Sequence, residues 1–463
     1  MIRRRSNGQR GLWELLEFGD LHPEKRMDPR LRRIDELLND EALVDGVVEA
    51  MRGRYAQSRG RGRPGTPAEV ALRMLVLKHL KDWSYEQLEW EVNGNLVYRH
   101  FCRIHAGKVP DAKTMVRLGQ LLDGPALRAV FERIVALAVQ RKVTHGRKMR
   151  VDTTVVETPI RYPSDSRLCE DVTQGVTREI ERLRSEGVAA PKNFRNVRRS
   201  LTRRVREITH VSRRPVSREE KRRALRRPYR RLLTITRRAI RQAEEVVTRA
   251  KRRRRALSGH ARRRVQVLER LAQLGRRVVA QTKERLFRGN AKSRDKLVSV
   301  FEPHTKIIRK GKANKPTEFG RVVKVQEAEG GVVTDIGVTD GGDAALLVPS
   351  VERHATILGR VPTTVATDRG FFNTDNVYRI EAMGVRCAAV PKPGYRSPAW
   401  LERERRRSFR RARAWRAGGE ARIARLKHTF GMRRARYRGE SGVHRAAHWA
   451  AIANNLMAIA THA

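Results

Sequence analysis

Residues 149–157 read Met149-Arg150-Val151-Asp152-Thr153-Thr154-Val155-Val156-Glu157. Met149, Val151, Thr153 and Val155 alternate with Arg150, Asp152 and Thr154, and β-branched residues dominate, so the segment from Arg147 to Glu157 is predicted to be a strand. It is the first break in a chain whose earlier apolar residues recur at helical spacing, and it carries an aspartate at its centre. In a chain with 102 Lys and Arg against 50 Asp and Glu, a carboxylate inside a strand is unusual.

Downstream of this strand, Val172 to about Phe287 reads as helix, interrupted near Pro191 and Pro215. Residues 201–290 hold 31 Lys and Arg against 7 Asp and Glu, yet Leu232, Leu233, Ile240, Val246 and Val247 keep helical spacing within them. Such a segment is a folded basic insertion, not a loose tail. Strands are then expected at Leu297–Val300, Arg321–Glu327, Gly331–Val338, Thr363–Thr367 and Val385–Val390, with Gly330-Gly331 as a hairpin turn. Thr374 is expected to cap a helix to about Met383, and the chain from Pro398 onward reads as basic helix. One strand before the insertion and several after it assemble most economically as a mixed sheet flanked by helices, an α/β fold.

Upstream, residues 12 to about 60 form a helical lead-in, with apolar residues at Leu15, Leu16, Leu31, Ile34, Leu37 and Leu38. A linker follows at residues 61–67. Thr66 is placed to cap a helix, with Pro67 in its first turn and Glu69 completing a capping box. A second capping box is expected at Ser84-Tyr85-Glu86-Gln87, and further helices from Asp111 to Leu122 and Pro125 to Val139. This all-helical N-terminal domain is similar in outline to helix-turn-helix DNA-binding units; a helical domain without DNA contact fits the periodicity equally.

The formal net charge is +52, and a fold carrying that charge repels itself unless a polyanion neutralises it. Nucleic acid is the expected partner. No stretch approaches the ~20 apolar residues of a membrane-spanning helix, and the basic N-terminus lacks the apolar run of a secretory signal. Cys102, Cys169 and Cys387 are too few and too far apart for a disulfide framework or a zinc site, which points to buried or incidental thiols in a reducing cytoplasm.

Cleaving and joining phosphodiesters requires charge neutralisation between an attacking and a leaving oxygen. Two divalent ions roughly 3.5–4 Å apart, bridged by carboxylates, supply it. The candidates are Asp152 and Asp368, the latter closing the strand Thr363–Thr367 ahead of the tight turn at Gly370. Strand ends of that kind are where open α/β sheets bind ligands.

These residues carry a family resemblance. Val151-Asp152-Thr153-Thr154-Val155-Val156-Glu157 and Thr367-Asp368-Arg369-Gly370-Phe371 resemble the two aspartate segments of bacterial insertion-sequence transposases of the DDE superfamily. Ile160-Arg161-Tyr162-Pro163-Ser164-Asp165-Ser166, Glu318-Phe319-Gly320, Arg436-Tyr437-Arg438-Gly439-Glu440 and Asn454-Asn455-Leu456 are similar to other parts of that family, and residues from Arg63 to Cys102 resemble its N-terminal domain. The resemblance implies an RNase H-like (retroviral integrase-like) catalytic domain. Its third carboxylate lies in the pattern Tyr, two residues, Arg, three residues, Glu, six residues, Lys; here Arg416, Glu420 and Lys427 fit, with Arg413 in place of the tyrosine. Offsets of four and seven return to one helix face. Glu404 and Glu440 are the rivals, and Glu420 is favoured by the motif.

The expected organisation is a lead-in at 1–60, a helical DNA-binding domain at 61–145, a catalytic domain at 146–170 with 291–463, and the insertion at 171–290. Asp152, Asp368 and Glu420 are the expected catalytic and metal-binding residues, holding two Mg²⁺ or Mn²⁺ ions. Arg416 and Lys427 are expected to clamp phosphates, and Arg433, Arg434, Arg436 and Arg438 to track the DNA backbone. The function implied is DNA transposition by cleavage and strand transfer on double-stranded DNA, at terminal inverted repeats and a target, by a homo-oligomer in the bacterial cytoplasm at the nucleoid. The alternatives are a catalytically inactive nucleic-acid-binding protein and an RNase H-like nuclease without strand transfer.

Overall fold

The computed structural model describes residues 2–5, 23–53, 65–105, 107–188, 191, 193–252, 257–290, 295–309 and 316–462. The expectations for Leu15, Leu16 and linker residues 61–64 fall outside them. Along the chain the helices are α1 (Pro29–Leu37), α2 (Glu41–Arg52), α3 (Ala68–Leu80), α4 (Tyr85–Gly94), α5 (Leu96–Phe101), α6 (Ala112–Leu121) and α7 (Gly124–Gln140). After β1 (Lys148–Glu157) come α8 (Asp165–Ser185), α9 (Arg198–Arg213), α10 (Arg218–Arg252), α11 (Gly259–Phe287) and the short β2 (Lys306–Ile308). The remainder is β3 (Glu318–Ala328), β4 (Val333–Thr339), α12 (Leu347–Leu358), β5 (Thr364–Ala366), α13 (Thr374–Ala382), β6 (Cys387–Ala389), α14 (Pro398–Arg405), α15 (Arg407–His428) and α16 (Glu440–His462). They fall into two compact units: Met1–Thr158 with Gly320–Ala463, and Pro159–Phe319.

In the first unit, α1 to α7 share a core with the sheet and with α16. The Ser84 capping box forms as expected, with Ser84 Oγ accepting from the Gln87 N–H at 3.0 Å and Gln87 Oε1 accepting from the Ser84 N–H at 3.0 Å. The box expected at Thr66 does not form. The first N–H groups of α3, at Ala68 and Glu69, donate instead to the backbone carbonyls of Arg3 and Arg4. Glu69 is buried and accepts from Arg73 Nε at 3.1 Å. Arg73 is fully buried and also holds Asp35 and Asn39, so α3 spends its acid on a core ion pair, not on its own terminus.

The sheet of this unit runs β4–β3–β1–β5–β6. β3 is antiparallel to both β4 and β1, while β5 lies parallel to β1 and to β6. A turn at Glu329–Gly331 joins β3 to β4, with φ of 75° at both Gly330 and Gly331, the left-handed region in which glycine is strain-free. α12 and α13 bury Val348, Val351, Val377 and Ile380 against Met149, Val151 and Val365. Ala366 and Ala389 pack against Phe409 and Ala412 of α15. α16 is buried along most of its length, and its Asn455 clasps β4 by accepting from the Val333 N–H at 2.8 Å and donating to the Val333 carbonyl at 2.7 Å. Two details differ from the sequence expectation. Asn373, not Thr374, caps α13, accepting from the Asn376 N–H at 3.1 Å. α12 was not anticipated; Pro349 stands in its first turn, where a missing N–H costs nothing.

The second unit is a helical assembly of α8 to α11 around Leu168, Val172, Val176, Leu232, Ile240, Leu268 and Val278. Gly275 lets three of these helices approach closely: a Cβ there would sit 2.8 Å from Val172 and 3.0 Å from Ile240. The strand expected at Leu297–Val300 is absent. Leu297 and Val300 are buried against the helices as irregular chain, and the Gln281 side chain takes up both backbone groups of Leu297, at 3.0 Å each, in place of a ladder. Cys102 and Cys169 are buried free thiols, each pushed up to about 12 chiefly by burial. No described helix is long and apolar enough to cross a membrane.

Candidate active site

The site is built where β1, β5 and α15 meet. Even-numbered residues of β1 face α15. Arg150, buried, donates to both carboxylate oxygens of Glu327 on β3 at 2.9 and 2.6 Å. Its guanidinium also reaches the Trp415 carbonyl and lies 4.7 Å from the centre of the Trp415 ring. Arg422, two turns beyond Trp415 on α15, donates to the same Glu327 at 3.1 Å. A buried carboxylate shared by two arginines thus docks α15 on β1, two residues from Asp152.

Asp152 is held from two sides. Its Oδ1 accepts from the Thr153 N–H at 2.7 Å, and its Oδ2 accepts from Arg416 at 3.0 Å. Asp368 lies two residues past the end of β5, and its Oδ1 accepts from the Gly370 N–H at 2.9 Å in a single 3-10 turn. Burial raises the Asp368 carboxyl above the ordinary aspartate range, the Asp152 charge raises it further, and Asp343 adds to this. The Gly370 N–H and Arg416 oppose the shift. Asp152, Asp368 and Arg416 therefore sense one another, although 216 and 48 residues separate them in turn along the chain.

Asp343 is a member of this group that sequence reasoning missed. It stands just after β4, in Asp340-Gly341-Gly342-Asp343, and its Oδ1 accepts from Thr153 Oγ at 2.9 Å. A Cβ on Gly370 would lie 3.1 Å from Asp343 Oδ2 and 3.2 Å from Asp368 Oδ1, so the glycine makes room for two carboxylates. The available signal was an aspartate in a Gly-Gly turn after a strand, in an acid-poor chain.

The remaining expected residues are distributed differently. Glu420 lies one turn from Arg416 on α15, 3.6 Å from its guanidinium, with 74% of its side chain exposed. It joins the carboxylates only through that arginine. Lys427 is two turns further along the same helix. Arg434 pairs with Glu157 at 3.3 Å and Arg436 with Asp82 at 2.7 Å, while Arg433 and Arg438 are exposed. The rival Glu404 accepts from the Lys392 N–H and from Arg396, both at 3.2 Å, and so braces the loop after β6. Glu440 pairs with Arg321. Trp400 and Trp449 are buried in the core.

Among the described residues, no group of three or more His, Cys, Asp or Glu side chains is gathered to hold a metal ion. Mg²⁺ needs no such cage, since it binds through one or two carboxylates and keeps water and phosphate oxygens for the rest. Asp152 and Asp368 supply hard oxygen donors with excess negative charge between them, which a divalent cation would neutralise.

Residues 17–121 match the model of a transposase domain (DUF772). That match supports a transposase family for the chain. The chain is also 26% identical over 195 residues to a Rhizobium meliloti protein named "uncharacterized protein ORF8 in nfe locus", covering 39% of this chain and 91% of the relative. No solved structure matches.

Proposed function

We propose that the protein is a DNA transposase of the DDE type, with an RNase H-like catalytic domain whose chemistry centres on Asp152 and Asp368. The observation that carries this reading is the electrostatic coupling of these two aspartates, one on β1 and one just past β5, in a chain of formal charge +52. The transposase-domain match over residues 17–121 supports it independently. A mixed sheet with antiparallel strands on one side, parallel strands on the other and helices on both faces supports the RNase H-like assignment.

When bound, Mg²⁺ or Mn²⁺ ions supply neutralisation of the developing phosphate charge. Asp152 and Asp368 would hold the ions. Thr153 and Arg416 fix the Asp152 carboxylate, and the Gly370 N–H fixes that of Asp368. Glu420 stands at the solvent side of Arg416, placed to add a third carboxylate. A water attacks the phosphodiester at the end of the element, and the freed 3′-hydroxyl attacks the target strand in line. Arg416, Lys427, Arg433 and Arg438 meet the phosphates of double-stranded DNA. Terminal repeats, an oligomer on DNA and a nucleoid location belong to the same reading.

One observation favours a second reading. Asp152 is already satisfied by Arg416 and the Thr153 N–H, as it would be in a non-catalytic DNA-binding protein. Asp152→Asn and Asp368→Asn separate the two. A transposase loses strand cleavage in Mg²⁺ and keeps its DNA affinity; a binding protein shows no cleavage in the parent to lose. Joining of a pre-cut end to a target duplex distinguishes the transposase from a nuclease.

A further inference from the structure

The 159–319 unit takes no part in the chemistry above, yet residues 201–290 within it hold 31 Lys and Arg against 7 Asp and Glu, nearly half of the excess positive charge of the chain. Between α10 and α11 runs an open groove of about 830 Å³. Arg230, Arg237 and Arg241 line it from α10, and Arg276 and Lys283 from α11, with Arg288 just past its end. Ile240 and Val279 form an apolar floor. Offsets of seven and four along α10 keep its three arginines on one face. That row spans eleven residues, roughly 16 Å at ~1.5 Å per residue.

Two acids also reach the groove, and each is already matched. Glu244 lies 3.3 Å from Arg276, and Glu284 lies 2.6 Å from Arg288. Arg230 rests 5.8 Å from the Phe287 ring. Arg237, Arg241 and Lys283 are exposed and have no carboxylate partner among the described residues. Like charges four residues apart on a helix, as in Arg237 and Arg241, repel one another and destabilise it. A polyanion laid along the groove reverses the sign of that interaction. A row of ~16 Å matches roughly five steps of one strand of a duplex at ~3.4 Å each.

We infer that the α10–α11 groove seats the sugar–phosphate backbone of duplex DNA, giving the insertion a sequence-independent grip on the DNA. This inference rests on the reading that the chain acts on DNA. Contacts of this kind release counterions, so each neutralised phosphate adds about 0.9 to the slope of log affinity against log salt.

The test is a salt titration of the full chain on a duplex of arbitrary sequence. The triple variant Arg237→Ala, Arg241→Ala, Lys283→Ala is expected to flatten the slope by roughly two to three and to weaken binding at low salt at least tenfold. Arg237→Lys with Arg241→Lys keeps the charge and is expected to keep the slope. A chain that fails to cleave DNA but shows these slopes sinks the transposase reading and keeps the groove. An unchanged slope in the triple variant overturns the groove, even in a chain that cleaves. So does a loss seen with anionic lipid vesicles or duplex RNA but not with duplex DNA, or an equal loss in the lysine variant.

Discussion

Arg416 binds two carboxylates with one guanidinium: it donates to Asp152 on β1 at 3.0 Å and lies 3.6 Å from Glu420 on its own helix. The fork shape of arginine permits this, and a lysine ammonium, a compact point charge, cannot reproduce it. Arg416 is thus a positioning residue for Asp152. A hydrogen bond to a charged group contributes about 1.5–3 kcal/mol. Arg416→Ala is therefore expected to lower kcat for strand cleavage roughly tenfold to a hundredfold. Arg416→Lys should recover only part of that rate. A lysine variant as fast as the parent would remove the fork geometry from the account.

The support beneath the site is a buried charge cluster, and its removal is expected to be felt as lost stability. Glu327 is 3% exposed and balances both Arg150 and Arg422. Glu327→Leu leaves Arg150 buried without a counter-charge, at a cost of about 3–5 kcal/mol. In thermal denaturation the Tm should fall by roughly 10 °C. The double variant Arg150→Met, Glu327→Leu should lie closer to the parent, because the one charge it leaves without a carboxylate is Arg422, which is partly exposed and keeps its bond to Asn454. A double variant less stable than Glu327→Leu alone would contradict this.

The strands at 148–157, 318–328 and 333–339 were legible because alternation and the Gly330-Gly331 pair are local signals that the sheet reinforces. Asp152 and Asp368 stood out for a similar reason, as acids in strand positions of a basic chain. Asp343 did not, because its role depends on Gly370, which follows it by 27 residues and makes room for it only in the folded sheet. The Thr66 cap failed for a related cause: the backbone of Arg3 and Arg4, far away in sequence, outcompetes a local side chain. Leu297–Val300 has strand composition, yet Gln281 answers its backbone and helices bury its apolar residues. The exposed position of Glu420 could not be read from helix periodicity, which fixes a face but not what covers it.

The β3–β4 turn offers a test of how tightly the sheet edge is set. At Gly330, φ is 75° and an added Cβ would meet the Val143 carbonyl oxygen at 2.1 Å. At Gly359, φ is 68° but nothing lies within 4 Å of such a Cβ. Alanine in the left-handed region costs about 1–2 kcal/mol at either position. Gly330→Ala must also displace backbone. In urea denaturation Gly330→Ala is expected to lose at least about 2 kcal/mol more than Gly359→Ala. Equal losses would mean that the Val143 carbonyl yields freely.

In the helical unit, Asp171 on α8 supplies a pH-dependent test. Burial raises its carboxyl from 3.8 to about 6; Glu170 adds to the shift, while Arg161 and Arg167 oppose it. The folded chain therefore holds a proton between about pH 4 and 6 that the unfolded chain has already released. Stability from this group is full below about pH 4, declines as pH rises to about 6, and stays at the lower level above that. Asp171→Asn mimics the protonated form and removes the decline. Because the side chain is partly exposed, the full two-unit shift is discounted, to a gain of roughly 1–2 kcal/mol above pH 6. At pH 4 the variant and the parent should be equally stable in denaturant titration. A gain that is the same at pH 4 and pH 8 would point to a packing or hydrogen-bonding effect and would rule out the carboxylate as its source.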